Sequence, residues 1–224
     1  MTTGAERIVI WDWALRLVHW LMVLLVPALW WTAEQGWMGW HQRFGLTLLS
    51  LVLFRVFWGF FGSWTARFIP MVRNLGALPS YIRTAFSPHG QATFGHNPLG
   101  TLSVFALLAA LLTQLGTGLF TVDVDGLESG PLAIFVSFDT GRQFADIHEL
   151  NFNILVGFVA LHVAAIAFYY LRLKDNLVSP MITGRRDRGD FGPDALPDIR
   201  VRLFALVASA LLAAAGVYAV LNAG

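Results

Sequence analysis

Five apolar stretches, each long enough to cross a lipid bilayer, constrain this chain more than any other feature. A helix needs about 20 residues to cross the hydrocarbon core of a membrane. The stretches run roughly through Trp13–Thr32, His41–Phe61, Leu99–Phe120, Ile147–Tyr170 and Val201–Leu221. Since lipid tolerates neither exposed loops nor open sheet edges, the sequence predicts an all-α membrane protein. Its mean hydropathy of +0.62 fits this class.

The charged residues predict how the chain lies in its membrane. Lysines and arginines cluster at the amino terminus and in the segments after the second and fourth stretches, and residues 171–202 hold seven of the fifteen. The positive-inside rule then predicts a bacterial inner-membrane protein with its amino terminus in the cytoplasm and its carboxyl terminus in the periplasm. The opposite side is acidic, with Glu34, Asp123, Asp125, Glu128, Asp139, Asp146 and Glu149 against Arg43 and Arg142. We expect the lipid bilayer, and no nucleic acid, as a partner.

The stretches group into a bundle and an added helix. Residues 1–184 contain the first four stretches, residues 185–200 are predicted to form a cytoplasmic linker, and residues 201–224 contain a fifth, detachable helix. Asn97 and Pro98 form a helix-start signal before the third stretch. Arg67–Phe86 alternates apolar and basic residues around two prolines, which predicts a broken helix on the cytoplasmic membrane surface.

Four histidines inside the predicted spans need an explanation, because polar groups in a membrane usually face a bundle interior or a functional site. They are His19, His41, His148 and His162. The chain has no cysteine, which excludes disulfides, iron–sulfur clusters, c-type haem attachment and thiol catalysis. Taken singly, each histidine is better explained by a hydrogen bond between helices than by a role as a ligand.

The spacing of these histidines predicts two pairs. His148 and His162 are fourteen residues apart on the fourth span, which places them on one face at depths that differ by about 21 Å. His41 opens the second span at the outer surface, and His19 lies about two turns into the first span. We therefore predict that His41 faces His148 at the outer level and that His19 faces His162 at the inner level.

Haem suits such pairs better than zinc, because each pair supplies two imidazoles and the inner level has no third Cys, His or carboxylate. At the outer level Asp146 and Glu149 flank His148, so two alternatives stay open there. The carboxylates could complete a metal-ion site, or they could orient an imidazole ring.

Two arginines and a glycine complete the predicted site. Arg55 follows His41 by fourteen residues, which places it at the inner level, where a haem propionate would balance its charge. Arg16 is a second candidate for this role, although it could equally extend to the membrane surface. Gly45 could let a flat macrocycle approach the backbone, or it could serve helix packing. His89 and His96 lie in the predicted cytoplasmic loop, where we expect no cofactor role.

Several short motifs make the chain similar to the bacterial cytochrome b561 family, which is related to the b-type cytochrome subunits of nickel–iron hydrogenases. The resemblance covers about Trp11 to Gly184. The residues that carry it are Trp11-Asp12-Trp13 with Arg16 and His19-Trp20, His41 to Gly45, Arg55 with Trp58-Gly59, Gly95-His96-Asn97-Pro98-Leu99-Gly100, the His148/His162 pair, and Pro180-Met181-Ile182-Thr183-Gly184. It implies a four-helix bundle with two stacked haems b, ligated from the first, second and fourth helices. The fifth span departs from this pattern.

Two haems at different depths predict a path for electrons through the membrane. We expect a dihaem respiratory-chain cytochrome that connects a periplasmic redox partner, such as a basic c-type cytochrome or a hydrogenase-like complex, with membrane quinone. The resemblance alone implies the quinone, as an exchangeable substrate. One alternative is a superoxide:quinone oxidoreductase, which leaves open whether the chain is an enzyme. A second is a channel or transporter without haem and with a histidine-lined path. An oligomer is also left open.

Overall fold

The computed structural model describes residues 6–84, 93–191, 197 and 199–223, and five of its helices are long and apolar enough to cross a membrane. The regular elements are β1 (Arg7–Val9), α1 (Trp13–Glu34), α2 (Met38–Phe61), α3 (Phe68–Asn74), α4 (Leu78–Thr84), α5 (Pro98–Gly118), α6 (Phe138–Arg172), α7 (Val178–Thr183), β2 (Arg185–Asp187) and α8 (Leu203–Leu221). The all-α membrane fold is therefore confirmed.

Helices α1, α2, α5 and α6 enclose the main apolar core. Val52 and Leu48 of α2 are fully buried there against Leu111 of α5 and Leu155 of α6. We name the two ends of the bundle by their charge. The basic end holds the start of α1, the end of α2, the start of α5 and the end of α6. The acidic end holds the α1–α2 turn and the α5–α6 connection.

Helix α6 is longer than the sequence predicted. It begins at Phe138, nine residues before the predicted start at Ile147, and its 35 residues span about 50 Å against a hydrocarbon core of about 30 Å. Ser137 caps the helix by accepting a hydrogen bond from the Thr140 backbone at 3.2 Å. The first turns are polar, so hydropathy detects only the apolar part of the helix.

The Asp12 side chain joins α1 to the end of α2. One carboxylate oxygen caps α1 by accepting a hydrogen bond from the Leu15 backbone at 2.8 Å. The other accepts hydrogen bonds from Trp58 Nε1 at 3.1 Å and from the Ser63 hydroxyl at 2.5 Å. All three polar side chains are buried, so this carboxylate fixes the angle between the two helices at the basic end.

The segment after α2 forms a broken helix, as predicted. A 3-10 turn at Leu75–Ala77 separates α3 from α4. The Tyr81 hydroxyl of α4 lies 2.5 Å from the Tyr169 hydroxyl of α6, and the Asn97 side chain donates a hydrogen bond to Tyr169 at 2.9 Å. The Tyr81 contact attaches the segment to α6, and α3 packs against α5. Residues 85 and 86 of the predicted segment, and His89, lie outside the described residues.

The segment that follows α6 returns to the amino terminus. Strand β2 pairs antiparallel with β1, and the Gly184 carbonyl accepts hydrogen bonds from the backbones of Ile10 at 2.8 Å and Trp11 at 3.2 Å. Gly184 has a φ of 79°, which only glycine adopts easily. The first residues of the predicted 185–200 linker are therefore part of a two-stranded sheet.

Helix α8 packs along α2. Its buried face consists of small residues, namely Ala205, Ser209 and Ala213. A Cβ atom at Gly216 would lie 2.7 Å from Leu53 Cδ1 of α2, so the two backbones approach closely. The opposite face carries Phe204 and Leu211, both strongly exposed. In this structure α8 is an integral fifth member of the bundle.

Candidate functional site

His41 and His148 face each other at the acidic end of the bundle. Their ring centres are 6.3 Å apart and their planes meet at 74°. Two imidazoles that bind one metal ion from opposite sides, each at about 2 Å, have ring centres about 6 Å apart. The spacing of the two rings therefore fits a single iron atom between them.

Backbone carbonyls hold both of these rings through Nδ1. The Nδ1 atom of His41 donates to the Leu29 carbonyl of α1 at 2.9 Å, and that of His148 donates to the Gln114 carbonyl of α5 at 2.9 Å. The Thr117 hydroxyl lies 3.3 Å from the same His148 nitrogen. With Nδ1 occupied in this way, Nε2 of each ring keeps its lone pair for a metal ion.

A cavity surrounds this pair. Its volume is about 280 Å³, many times the roughly 10–15 Å³ that a cavity needs to hold one water molecule, so it is not a packing defect. Apolar residues such as Leu49 and Phe152 form most of its wall, and Gly45 lies one turn from His41. A Cβ atom at Gly45 would meet only one atom within 4 Å, Leu29 Cδ2 at 4.0 Å, so the glycine leaves room beside the rings. A flat apolar macrocycle with a central iron suits this lining.

Sequence reasoning missed two residues that position His148. A Cβ atom at Gly118 would lie 2.9 Å from His148 Cε1, so the ring requires glycine there. Asn151, one turn after His148, is buried and donates hydrogen bonds to the Ala110 carbonyl at 2.9 Å and to Gln114 Oε1 at 2.7 Å. A glycine at the end of a helix and a polar residue in a span were the only signals of these roles.

His19 of α1 and His162 of α6 are the second predicted pair, at the basic end. The Ser103 hydroxyl lies 3.2 Å from His162 Nδ1, whereas His19 Nδ1 is buried without a hydrogen-bond partner. The ring of Trp20 packs edge-on against His19, with centroids 5.1 Å apart. The structure brings the rings of His41 and His148 face to face, and the pairing of His19 with His162 stays a prediction.

The two predicted arginines have different surroundings. Arg55 is 6% exposed, lies with its guanidinium 5.0 Å from the ring centre of Phe68, and keeps one terminal nitrogen without a partner. Arg16 donates a hydrogen bond to the Ile182 carbonyl of α7, so at least part of its guanidinium stabilises the fold. Arg55 is therefore the better candidate to bind a propionate.

The alternative of a metal-ion site at the outer pair gains no support. Among the described residues, no group of three or more His, Cys, Asp or Glu side chains could hold a metal ion. Asp146 lies 3.7 Å from Arg142 in an ion pair instead. Two facing imidazoles with no third ligand are the donor set of a haem rather than of zinc.

Comparison with known proteins assigns the chain to a family. A family profile described as prokaryotic cytochrome b561 matches residues 10–184, which include all four histidines and end before α8. The chain belongs to the prokaryotic cytochrome b561 family. Membership identifies it as a multi-pass membrane b-type cytochrome that transfers electrons, and it confirms the resemblance seen in the sequence motifs.

A curated relative supports this assignment. The chain is 27% identical over 169 residues to a probable Ni/Fe-hydrogenase B-type cytochrome subunit of Azotobacter chroococcum mcd 1. The alignment covers 69% of this chain and 70% of the relative. This b561 protein is therefore similar to a hydrogenase cytochrome subunit over most of its length.

Proposed function

We propose that this b561 protein binds two haems b and passes electrons across the bacterial inner membrane between a periplasmic redox partner and quinone. The observation that carries the proposal is the 6.3 Å separation of the His41 and His148 rings. Haem supplies a one-electron redox centre when it is bound. The protein supplies the ligands, the apolar surroundings and the spacing between the two levels.

Each ligand pair has its own support from helix geometry. His148 and His162 lie on one continuous helix, α6, at depths about 21 Å apart. His41 of α2 and His19 of α1 would supply the second ligand at each level. The carbonyl contacts at Nδ1 of His41 and His148 fix which nitrogen of each ring faces a metal ion, which favours one ligation geometry. Two haems held by one helix would divide the path of an electron across the membrane into short transfer steps.

The charge of the acidic end supports a basic periplasmic partner. Asp123, Asp125 and Glu128 lie in the turn that the Val122–Ser129 bridge closes, and Leu127 beside them is 84% exposed. A c-type cytochrome with a basic surface fits this face by charge complementarity. The name of the Azotobacter relative makes a hydrogenase the other candidate partner. The same charge would repel superoxide, so we place superoxide oxidation second.

Quinone is the proposed exchangeable partner in the membrane. Arg55 and the neighbouring basic residues define the other end of the bundle, which the positive-inside rule assigns to the cytoplasm. An electron that reaches this end needs an acceptor or donor that dissolves in lipid. Quinone has that property, and it would connect the chain to respiration.

Haem content tests the proposal. We expect the purified protein to contain two haems b per chain by the pyridine haemochrome assay and to show their reduced-minus-oxidised spectrum. His148→Ala should reduce the content to one haem, because the pair at the acidic end loses a ligand. Asn153→Ala, an exposed position on the same helix, is the matched control and should retain both haems. Wild-type protein with fewer than two haems per chain would refute the dihaem proposal.

A further inference from the structure

The four histidines proposed as haem ligands differ in what holds Nδ1 of each ring. At the acidic end, Nδ1 of His41 and Nδ1 of His148 each donate a hydrogen bond of 2.9 Å to a backbone carbonyl. These carbonyls belong to Leu29 of α1 and Gln114 of α5. The Thr117 hydroxyl also lies 3.3 Å from Nδ1 of His148. Both rings at this end are therefore bonded to a carbonyl oxygen of a neighbouring helix.

The two histidines at the basic end have weaker partners. Nδ1 of His162 lies 3.2 Å from the Ser103 hydroxyl, which is at the long end of the range for a hydrogen bond. Within the described part of the chain, Nδ1 of His19 is buried and has no hydrogen-bond partner. The His19 ring packs instead against the Trp20 ring, at an interplanar angle of 86°. The hydrogen bonding of the two pairs is therefore unequal.

The partner of the second ring nitrogen changes how strongly an imidazole donates electrons to iron. A ring that donates its N–H group to a carbonyl becomes a more basic ligand. Ferric iron carries one more positive charge than ferrous iron, so a more basic ligand stabilises the ferric state and lowers the midpoint potential. By this effect, a haem bound by His41 and His148 has a lower potential than one bound by His19 and His162.

The charges around the acidic-end cavity act in the same direction. The carboxylates of Glu34 and Glu149 line this cavity, and no lysine or arginine is among the described residues that line it. A negative charge near the iron also stabilises the ferric state. Both carboxylates are exposed, so water and salt screen part of their effect. They therefore add a smaller contribution to that of the ring hydrogen bonds.

We propose that the unequal hydrogen bonding of the four rings sets the order of the two midpoint potentials, with the acidic-end haem as the lower-potential centre. The difference is at least tenfold in the oxidised-to-reduced ratio at one ambient potential, which is about 59 mV for one electron. This inference rests on the proposed function, because it requires a haem at each level. An electron that arrives at the acidic end then moves downhill towards the basic end.

Assigning each titration step to one end of the bundle tests this order. Potentiometric titration of the purified holoprotein, followed by visible absorbance, should resolve two one-electron steps. We expect His148→Ala to lose the lower step and to keep the upper one. Loss of the upper step instead, or two wild-type haems that titrate less than about 59 mV apart, would overturn the inference while the proposed function stands. Wild-type protein with fewer than two haems would refute the proposed function itself.

Glu34→Gln makes the same assignment without removing a ligand, and it serves if His148→Ala binds no haem. Loss of this negative charge should lower the oxidised-to-reduced ratio of the lower step about twofold at a fixed ambient potential. Asp139→Asn is the matched control, since Asp139 is an exposed carboxylate at the same end that is not part of the cavity wall. A shift confined to the upper step, or equal shifts in the two variants, would contradict the assignment.

Removing one hydroxyl at each end tests the cause of the difference. Thr117→Val keeps the shape of the side chain and removes the hydroxyl beside His148, so we expect the lower step alone to shift upwards. Ser103→Ala removes the hydroxyl beside His162, so we expect the upper step alone to shift upwards. A merely structural role would change haem content without moving one selected potential. If both variants retain two haems at the wild-type potentials, ring hydrogen bonding does not set the order.

Discussion

The His148 ring is positioned by neighbours on α5, and a single methyl group would disturb it. Its Nδ1 donates to the Gln114 carbonyl, and its Cε1 lies against the backbone of Gly118. These contacts decide which nitrogen faces the cavity. They involve backbone atoms and the absence of a side chain at Gly118, and neither produces a recognisable pattern in the sequence. The four histidines stand out in the sequence because of their cost in lipid and their helical spacing, whereas Gly118 and Asn151 do not.

We expect Gly118→Val to remove the haem of the acidic end, because a branched side chain would occupy space that the His148 ring needs. Gly116→Val is the control on the same helix, since a Cβ atom at Gly116 would meet no atom within 4 Å. The pyridine haemochrome assay should give about half the wild-type haem for the first variant and the full content for the second. Full content with unchanged midpoint potentials in Gly118→Val would show that the contact is unimportant.

At the scale of elements, hydropathy predicted the spans to within a few residues, except at the start of α6. The polar turns of α6 before Ile147 lie outside the apolar stretch, so only the Ser137 cap could have marked their beginning. The role of α8 was also missed. Its small residues face α2, which carries both His41 and Arg55. A pattern of small residues in the sequence does not identify the helix on which it packs. The packing of the His96 ring on Trp11 was also not predicted, because loop residues are expected at the surface.

We expect substitution in the α8 interface to weaken haem retention. Ser209 is fully buried, and Ser209→Leu would overpack the contact with α2 at a cost of about 1–3 kcal/mol. Ala210→Leu, at the next position, is exposed and is the control. Heating in detergent while following the Soret band should show haem release several degrees lower for Ser209→Leu alone. Equal release temperatures for both variants would mean that α8 does not support the bundle.

At the scale of the whole molecule, charge is divided between the two ends. The acidic end carries the residues proposed to meet a basic partner, and the basic end carries the unpaired arginine and histidine nitrogens. This division was predictable from the sequence, because it depends on which connections hold the charges. The identity of the partner was not, since complementary charge describes a class of proteins.

We expect electron transfer with a basic c-type cytochrome to slow as salt is added, because ions screen charges separated by more than about 10 Å at 0.1 M. Stopped-flow reduction or oxidation of the cytochrome at increasing ionic strength measures this. Removing charge with Asp125→Asn should reduce both the rate at low salt and its salt dependence. A rate that is independent of salt, or that superoxide matches, would contradict the proposed partner.

The central claim is that paired imidazoles bind an iron at each of two levels, and near-infrared magnetic circular dichroism of the oxidised protein tests it most directly. The ligand-to-iron charge-transfer band in this region reports the identity of the axial ligands. We predict low-spin haem with two histidine ligands at an intensity that corresponds to two haems per chain. High-spin haem, a different axial ligand, or a protein without visible absorbance would contradict the claim.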